Sequence, residues 1–278
     1  MPELPEVEVT RQRLEPHWVG ARIERVVVGA PSYFFLTPPR TLAARLLHRT
    51  TLALRRHGKH LISELDDGSR LLCHLGMTGQ MFVAPESAAA KLVDVHVHLQ
   101  LTLARNARGA RHVLVFRDVR KFGKVEWLAP GADATRIERM GPDALDVDAR
   151  TLALALASRS IPIKSALLDQ AVLAGVGNIY ADEALFLAHV APQRPARSLD
   201  EAECALLVKA LRRVLGAAIR AGGSTINDFR HPDGGVGGYQ QNHRVYGHEG
   251  APCPSCKGPI SRVVIAQRSS HYCARCQR

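Results

Sequence analysis

This chain of 278 residues is short of acids, aromatics and cysteines. Asp and Glu number 26 against 37 Lys and Arg, and Phe, Trp and Tyr make up 5% of the residues. The net charge of +11 attracts polyanions, and nucleic acid is the usual one. No apolar run approaches the roughly 18 residues a membrane-spanning helix needs, and the opening residues lack the character of a secretory signal. The six cysteines do not form an extracellular disulfide pattern. Cys73 and Cys204 lie alone in apolar contexts, as buried thiols do, and the other four form two close pairs near the C-terminus. These absences predict a cytoplasmic or nucleoid-associated protein, and the length predicts one large or two ordinary domains.

What is present is concentrated at the two ends. Cys253-Pro254-Ser255-Cys256 and Cys273-Ala274-Arg275-Cys276 are two C-x-x-C knuckles with 16 residues between them. That spacing predicts one structural Zn2+ held by Cys253, Cys256, Cys273 and Cys276. Four protein thiolates leave no open coordination position, so the ion would hold the intervening hairpin and not catalyse. From Arg220 onward eight basic residues face three acids, which makes this tail locally basic.

At the other end stands Met1-Pro2-Glu3-Leu4-Pro5-Glu6. Loss of Met1, which a small following proline permits, would free a secondary amine at Pro2. An α-amino group titrates near 7.7–8.0 in model peptides, about where a neutral fraction persists at pH 7. Such an amine adds to a carbonyl-like carbon. Its adduct is an iminium that cannot discharge by losing an N–H proton, and therefore acts as an electron sink. Glu3, next to it, is placed to move protons. The plainer reading is a helix start, since proline and acids both suit a first turn.

Val7, Arg11, Leu14 and Trp18, with Leu4 in phase, predict an amphipathic helix ending near Gly20. Strands are expected at 23–28, 61–65 and 71–75, the last two joined by Asp66-Asp67-Gly68-Ser69. Val93 to Leu103 reads as an alternating strand with Asp94, His96, His98, Gln100 and Thr102 on a solvated face, not as a metal site. Arg55 to His60 reads as a basic turn suited to phosphate. Met77, on the glycine-flanked turn His74-Leu75-Gly76-Met77-Thr78-Gly79, is poorly explained as core and fits an apolar wedge that unstacks bases. In Asp118-Val119-Arg120-Lys121-Phe122-Gly123, extended geometry would put Arg120 and Phe122 on one side, a cation and an aromatic for an orphaned base.

Beyond the hinge-like Ala129-Pro130-Gly131-Ala132-Asp133 the pattern turns helical. Residues 167–186 read as helix, glycine-rich turn, helix, with Asn178 at the second helix start. There it could meet a phosphate or simply cap the helix. A long helix over 199–220 follows. Glycine density at Gly222-Gly223 and at Asp233-Gly234-Gly235-Val236-Gly237-Gly238-Tyr239 predicts a mobile or specially turned loop.

Pro2-Glu3-Leu4-Pro5-Glu6-Val7-Glu8, the Asp118–Gly123 string, residues 167–186 and the cysteine tail together resemble the formamidopyrimidine-DNA glycosylases, in the same order along the chain. The resemblance implies an α+β protein: an N-terminal antiparallel β-sandwich with a leading helix over 1–130, a helix–two-turn–helix DNA-binding domain over 131–245, and a zinc-ribbon β-hairpin over 246–278. It implies excision of oxidised purines from double-stranded DNA by Pro2 and Glu3, followed by β,δ-elimination, by a monomer needing no redox cofactor or catalytic metal. Lys59, His74, Asn178 and Arg268 would hold phosphates, Met77, Arg120 and Phe122 would fill the gap left by the flipped nucleotide, and Lys164 would lie near it. The chain departs from the family pattern where Val119 and Lys121 replace a proline and an arginine, where Gly237-Gly238-Tyr239 replaces Gly-Tyr-Phe, and at His243 and His248. An endonuclease VIII-type enzyme for oxidised pyrimidines and a non-catalytic zinc-ribbon DNA binder are the alternatives.

Overall fold

The computed structural model describes residues 1–105, 110–133, 135–225 and 229–278. Ile226, at the end of the first glycine-bearing stretch, lies outside the described residues. The chain divides into two compact units, Met1–Ala134 with Gly222–Gly238, and Thr135–Ala221 with Tyr239–Arg278. No helix among the described residues is long and apolar enough to cross a membrane.

In the first unit, α1 (Leu4–Trp18) buries Leu4, Val7, Leu14 and Trp18, the stripe that the 3–4 spacing predicts. Gly20, at φ +76°, then turns the chain into β1 (Arg22–Val28). After α2 (Pro39–Leu46) come β2 (Thr51–His57), β3 (His60–Leu65), β4 (Arg70–His74), β5 (Gly79–Pro85), β6 (Val97–Ala104), β7 (Arg111–Asp118) and β8 (Lys124–Leu128). They form two four-stranded antiparallel sheets, ordered β1-β6-β7-β5 and β2-β3-β4-β8. Ile23, Leu99, Leu101 and Phe116 of one sheet share a core with Leu54, Leu61, Leu71 and Val125 of the other, and with Val7, Leu14 and Trp18 of α1. This is the expected sandwich with its leading helix. Burying one face of each strand is what its alternating pattern allows.

The strand expected from Val93 starts instead at Val97. Val93 and Val95 are 45% and 88% exposed, so their alternation finds no second layer to cover it. A register shift between Val97 and Leu99 turns His98 inward, where it is 6% exposed and its Nε2 lies 2.8 Å from the Asp118 carbonyl. His98 is therefore a structural core group and not part of a solvated face. The basic turn is also shorter than expected. Only Gly58 and Lys59 lie between β2 and β3, and Arg55 and Arg56 belong to β2, bonded to Glu64 and Glu8.

The second unit contains α3 (Thr135–Glu138), α4 (Ala149–Leu156), α5 (Ile163–Leu168), α6 (Asn178–Leu187) and α7 (Glu201–Arg220). Asp200 caps α7, accepting from the Glu203 N–H at 2.8 Å. The α5–α6 turn is held by the Gln170 side chain. Its amide donates to the Leu168 and Val176 carbonyls, and its oxygen accepts from Gly175, whose φ is +103°. The unit ends in the hairpin β9 (Ser261–Ile265) and β10 (Arg268–Tyr272). Its two-residue turn, Ala266 and Gln267, has φ of +46° and +62°, the type I′ sense that matches strand twist. Phe186 of α6 packs with Val245, Cys253, Ile260 and Cys273, which seats the zinc ribbon on that helix.

Candidate functional site

Pro2 and Glu3 are buried at the start of α1 and do not trail from it. Met1 in front of them is 51% exposed, open to removal, and while it remains the Pro2 nitrogen is an amide nitrogen. The group that organises this corner is Glu6, which the motif contains without showing its role. The Glu6 carboxylate, 2% exposed, accepts the Glu3 N–H at 2.8 Å and the Ser224 N–H at 2.7 Å. Gly223 approaches so closely that a Cβ there would lie 2.9 Å from Glu6 Oε1, and its φ is +79°. Gly223 therefore serves a backbone-to-carboxylate contact, whereas a Cβ at Gly222 would meet the His231 ring at 2.9 Å. Pro232 and Asp233 are tied down too, through Val83 N–H to the Pro232 carbonyl and an Arg13–Asp233 ion pair.

Helix α1 is pinned to β2 by charge. Glu8 pairs with Arg11 at 2.9 Å and with Arg56 at 3.1 Å, and Arg11 reaches the Leu54 carbonyl. Burial alone would raise the Glu8 carboxyl, but these two guanidiniums and Gln12 outweigh it and hold it below its usual range. Lys59 sits on the turn between β2 and β3, the strands against which α1 packs, and is 7% exposed.

The turns carrying Met77 and Arg120–Phe122 form one body. Asp118 joins them: its carboxylate accepts the Thr78 hydroxyl at 2.5 Å, the Arg120 N–H at 3.2 Å and the Gly123 N–H at 2.7 Å. Gly76, at φ +65°, brings the backbones together, and a Cβ there would lie 2.4 Å from the Gly123 nitrogen. Met77 and Phe122 are each 41% exposed, and the Arg120 guanidinium lies 4.6 Å over the Phe122 ring. The stacking was expected from an extended segment. It arises instead from a turn in which Lys121 adopts φ +57°. His74, at the end of β4, accepts the Gly76 N–H through Nδ1 at 3.1 Å and packs on His60.

In the second unit, the cap of α6 is Gly177 and Asn178 is the first helical residue. The capping alternative therefore does not hold. Among the described residues the Asn178 Oδ1 has no hydrogen-bond partner, and the helix start offers N–H groups and the positive dipole end. Lys164 is wholly buried. Its ammonium lies 2.6 Å from Asp182 and donates to the Ser269 carbonyl at 2.8 Å. Asp182 also accepts the His271 N–H at 2.9 Å. Lys164, expected beside the damaged nucleotide, thus clamps β10 to α6, next to the exposed Arg268 at the hairpin tip. Asp182, invisible as a functional residue in the sequence, is its partner.

The four cysteine Sγ atoms lie within 4.8 Å of one another, Cys253–Cys276 at 3.9 Å and Cys256–Cys273 at 3.4 Å. A tetrahedron with Zn–S bonds of about 2.3 Å has edges of about 3.8 Å, so the donor set fits Zn2+ and leaves it no open position. The ion is structural.

The comparisons with known proteins agree along the whole chain. Residues 1–125 match the formamidopyrimidine-DNA glycosylase N-terminal domain, 140–230 the H2TH domain of the same enzymes, and 250–278 a zinc finger found in FPG and IleRS. The chain is 42% identical over 287 residues to the formamidopyrimidine-DNA glycosylase of Paracoccus denitrificans, covering all of both. The chain belongs to the formamidopyrimidine-DNA glycosylase family. Among solved structures, MutM (FPG) from Thermus thermophilus is 41% identical with a TM-score of 0.84, covering 99% of this chain and 98% of that one. Wild-type Lactococcus lactis FPG matches at 33% identity and a TM-score of 0.87 with full coverage of both chains. It was solved with DNA containing N7-benzyl-Fapy-dG and with DNA containing an oxidised pyrimidine. Family membership leaves the roles of individual residues to chemistry.

Proposed function

We propose that this protein is a base-excision repair glycosylase and abasic-site lyase that removes oxidised purines from double-stranded DNA, with Pro2 as nucleophile and Glu3 as proton carrier. The observation that supports the reading is that Asp118 ties together the two turns on which Met77 and Phe122 stand exposed, as side chains that fill the place of an extruded nucleotide would need to be. The reacting sugar carbon is inaccessible in the stack, so the nucleotide must leave the helix first. Met77 and Phe122 fill the gap and Arg120 faces the orphaned base. The freed Pro2 nitrogen forms a bond to C1′ as the C1′–N bond to the base breaks, and the base departs with a proton. Glu3 protonates the ring oxygen as the sugar opens, leaving an iminium between Pro2 and C1′. Loss of a C2′ proton expels the 3′ phosphate, a second elimination expels the 5′ phosphate, and water releases Pro2. Lys59, His74, Asn178 and Arg268 hold phosphates, and Lys164 supports Arg268 through β10. The enzyme acts as a monomer in the bacterial cytoplasm, on nucleoid DNA.

Borohydride trapping tests the mechanism, using Met1-processed protein and duplex DNA with 8-oxoguanine opposite cytosine. The expected result is a covalent adduct mapping to Pro2, with base excision reduced by orders of magnitude in Glu3→Gln, while DNA affinity is kept. An adduct formed only with an oxidised pyrimidine would assign the endonuclease VIII-type preference. Tight DNA binding without an adduct on any lesion or abasic site would make this a non-catalytic binder.

A further inference from the structure

Tyr33 lies in the loop between β1 and α2, outside every motif that carries the family resemblance. Its side chain is 57% exposed, yet both its hydroxyl and its ring have partners. The hydroxyl donates to the Arg120 carbonyl at 2.7 Å. The ring centroid lies 6.5 Å from that of Phe122 at an interplanar angle of 46°, and the Lys124 ammonium sits 4.8 Å over the Tyr33 ring. The carbonyl it holds belongs to the peptide entering Lys121, the residue at φ +57° that reverses the chain between Arg120 and Phe122. Asp118 fixes the N–H side of Arg120, at 3.2 Å, and Tyr33 fixes its C=O side. The hydroxyl thus anchors the carbonyl side of the backbone from which the Arg120 guanidinium projects over Phe122, and its loss leaves that backbone held from the N–H side only.

We propose that Tyr33 is a positioning residue for Arg120 and the fourth member of the wedge, setting how strictly the enzyme discriminates the base opposite the lesion. The inference rests on the glycosylase reading above. A guanidinium fork is rigid and planar, and its specificity is in where its N–H groups point. Cytosine offers two adjacent acceptors, O2 and N3, on its pairing edge, whereas adenine offers one acceptor beside a donor. A guanidinium held at one angle distinguishes these edges, and one on a loosened peptide adapts to both. The exposed Tyr33 ring, flanked by a cation and by Phe122, also presents a face on which a flanking base can stack.

The test is Tyr33→Phe, which deletes one hydroxyl and keeps the ring. Single-turnover excision of 8-oxoguanine is measured opposite cytosine and opposite adenine, alongside the fluorescence of 2-aminopurine placed next to an abasic analogue. Loss of one hydrogen bond should lower the cytosine-to-adenine rate ratio by roughly three- to tenfold, chiefly through faster excision opposite adenine. Tyr33→Ala should also reduce the 2-aminopurine response to wedge insertion. An unchanged ratio in Tyr33→Phe, with the wild type active, overturns the proposal. So does a uniform fall in both rates that tracks a lowered Tm, the mark of a merely structural tyrosine. A wild type that excises neither substrate refutes the parent reading itself, so the two failures are separate.

Discussion

His243 stacks edge-on between Tyr239 and Tyr246, with centroids 5.7 Å from each, and burial with help from nearby His248 pushes its imidazole down to about 4. Its ordinary value is 6.5. Between these two values the unfolded chain binds a proton that the folded chain refuses, so stability rises with pH across the window and falls as acid is added. His243→Phe keeps an aromatic ring in the stack and removes the proton. Thermal melts from pH 7 to 4.5 should therefore show a flatter decline in Tm for the variant than for the wild type. A parallel decline would mean the ring is protonated in the fold. The sequence marks His243 as a departure from the family pattern. The lowering of its imidazole follows from its burial, where Tyr239 and Tyr246 pack against it, which is a packing outcome.

Among the elements, α6 carries two buried acids, Asp182 and Glu183, and each holds a different segment. Glu183 accepts the N–H groups of Arg244, Val245 and Tyr246 at 2.9 to 3.0 Å, fixing the approach to the zinc ribbon, and Asp182 with Lys164 fixes β10. Lys164→Met would strand the Asp182 carboxylate in the interior, at a cost of about 3–5 kcal/mol. Adding Asp182→Leu should recover much of that, because an apolar pair of similar volume is often near neutral. Denaturant melts of the three proteins check the order. A Lys164→Met variant as stable as the wild type would show that His271 suffices to hold the Asp182 carboxylate. The residues of α6 were legible as a helix, and Lys164 was singled out by the resemblance alone. The pairing was not legible, because Lys164, Asp182 and Ser269 are far apart in sequence and only the docking of β10 on α6 brings them together.

At the scale of the whole molecule, the zinc ion that the four thiolates fit is a term that can be removed without mutation. Structural zinc contributes on the order of 10 kcal/mol to the folding of small zinc modules, against the small core formed by Phe186, Val245, Ile260 and the cysteines. Chelation should release one zinc per chain, abolish specific binding to lesion-containing duplex and leave the β-rich circular dichroism of the sandwich largely intact, with binding restored by added Zn2+. Retention of DNA binding after complete zinc loss would dissociate Arg268 from that function. The four-thiolate site, the leading helix, strands β1, β3 and β4 and the helix–turn–helix segment were legible in the sequence. Each depends on local spacing, a period of two, a period of 3.6 or a pair of knuckles, and local spacing survives in one dimension. Only the tertiary structure decided that Glu6 would clasp the Gly223–Ser224 backbone, that Asp118 and Tyr33 would bond to the turns carrying Met77 and Arg120, and that Lys164 would face inward. Those assignments depend on which distant backbone groups burial leaves in need of a partner, and no periodicity encodes that.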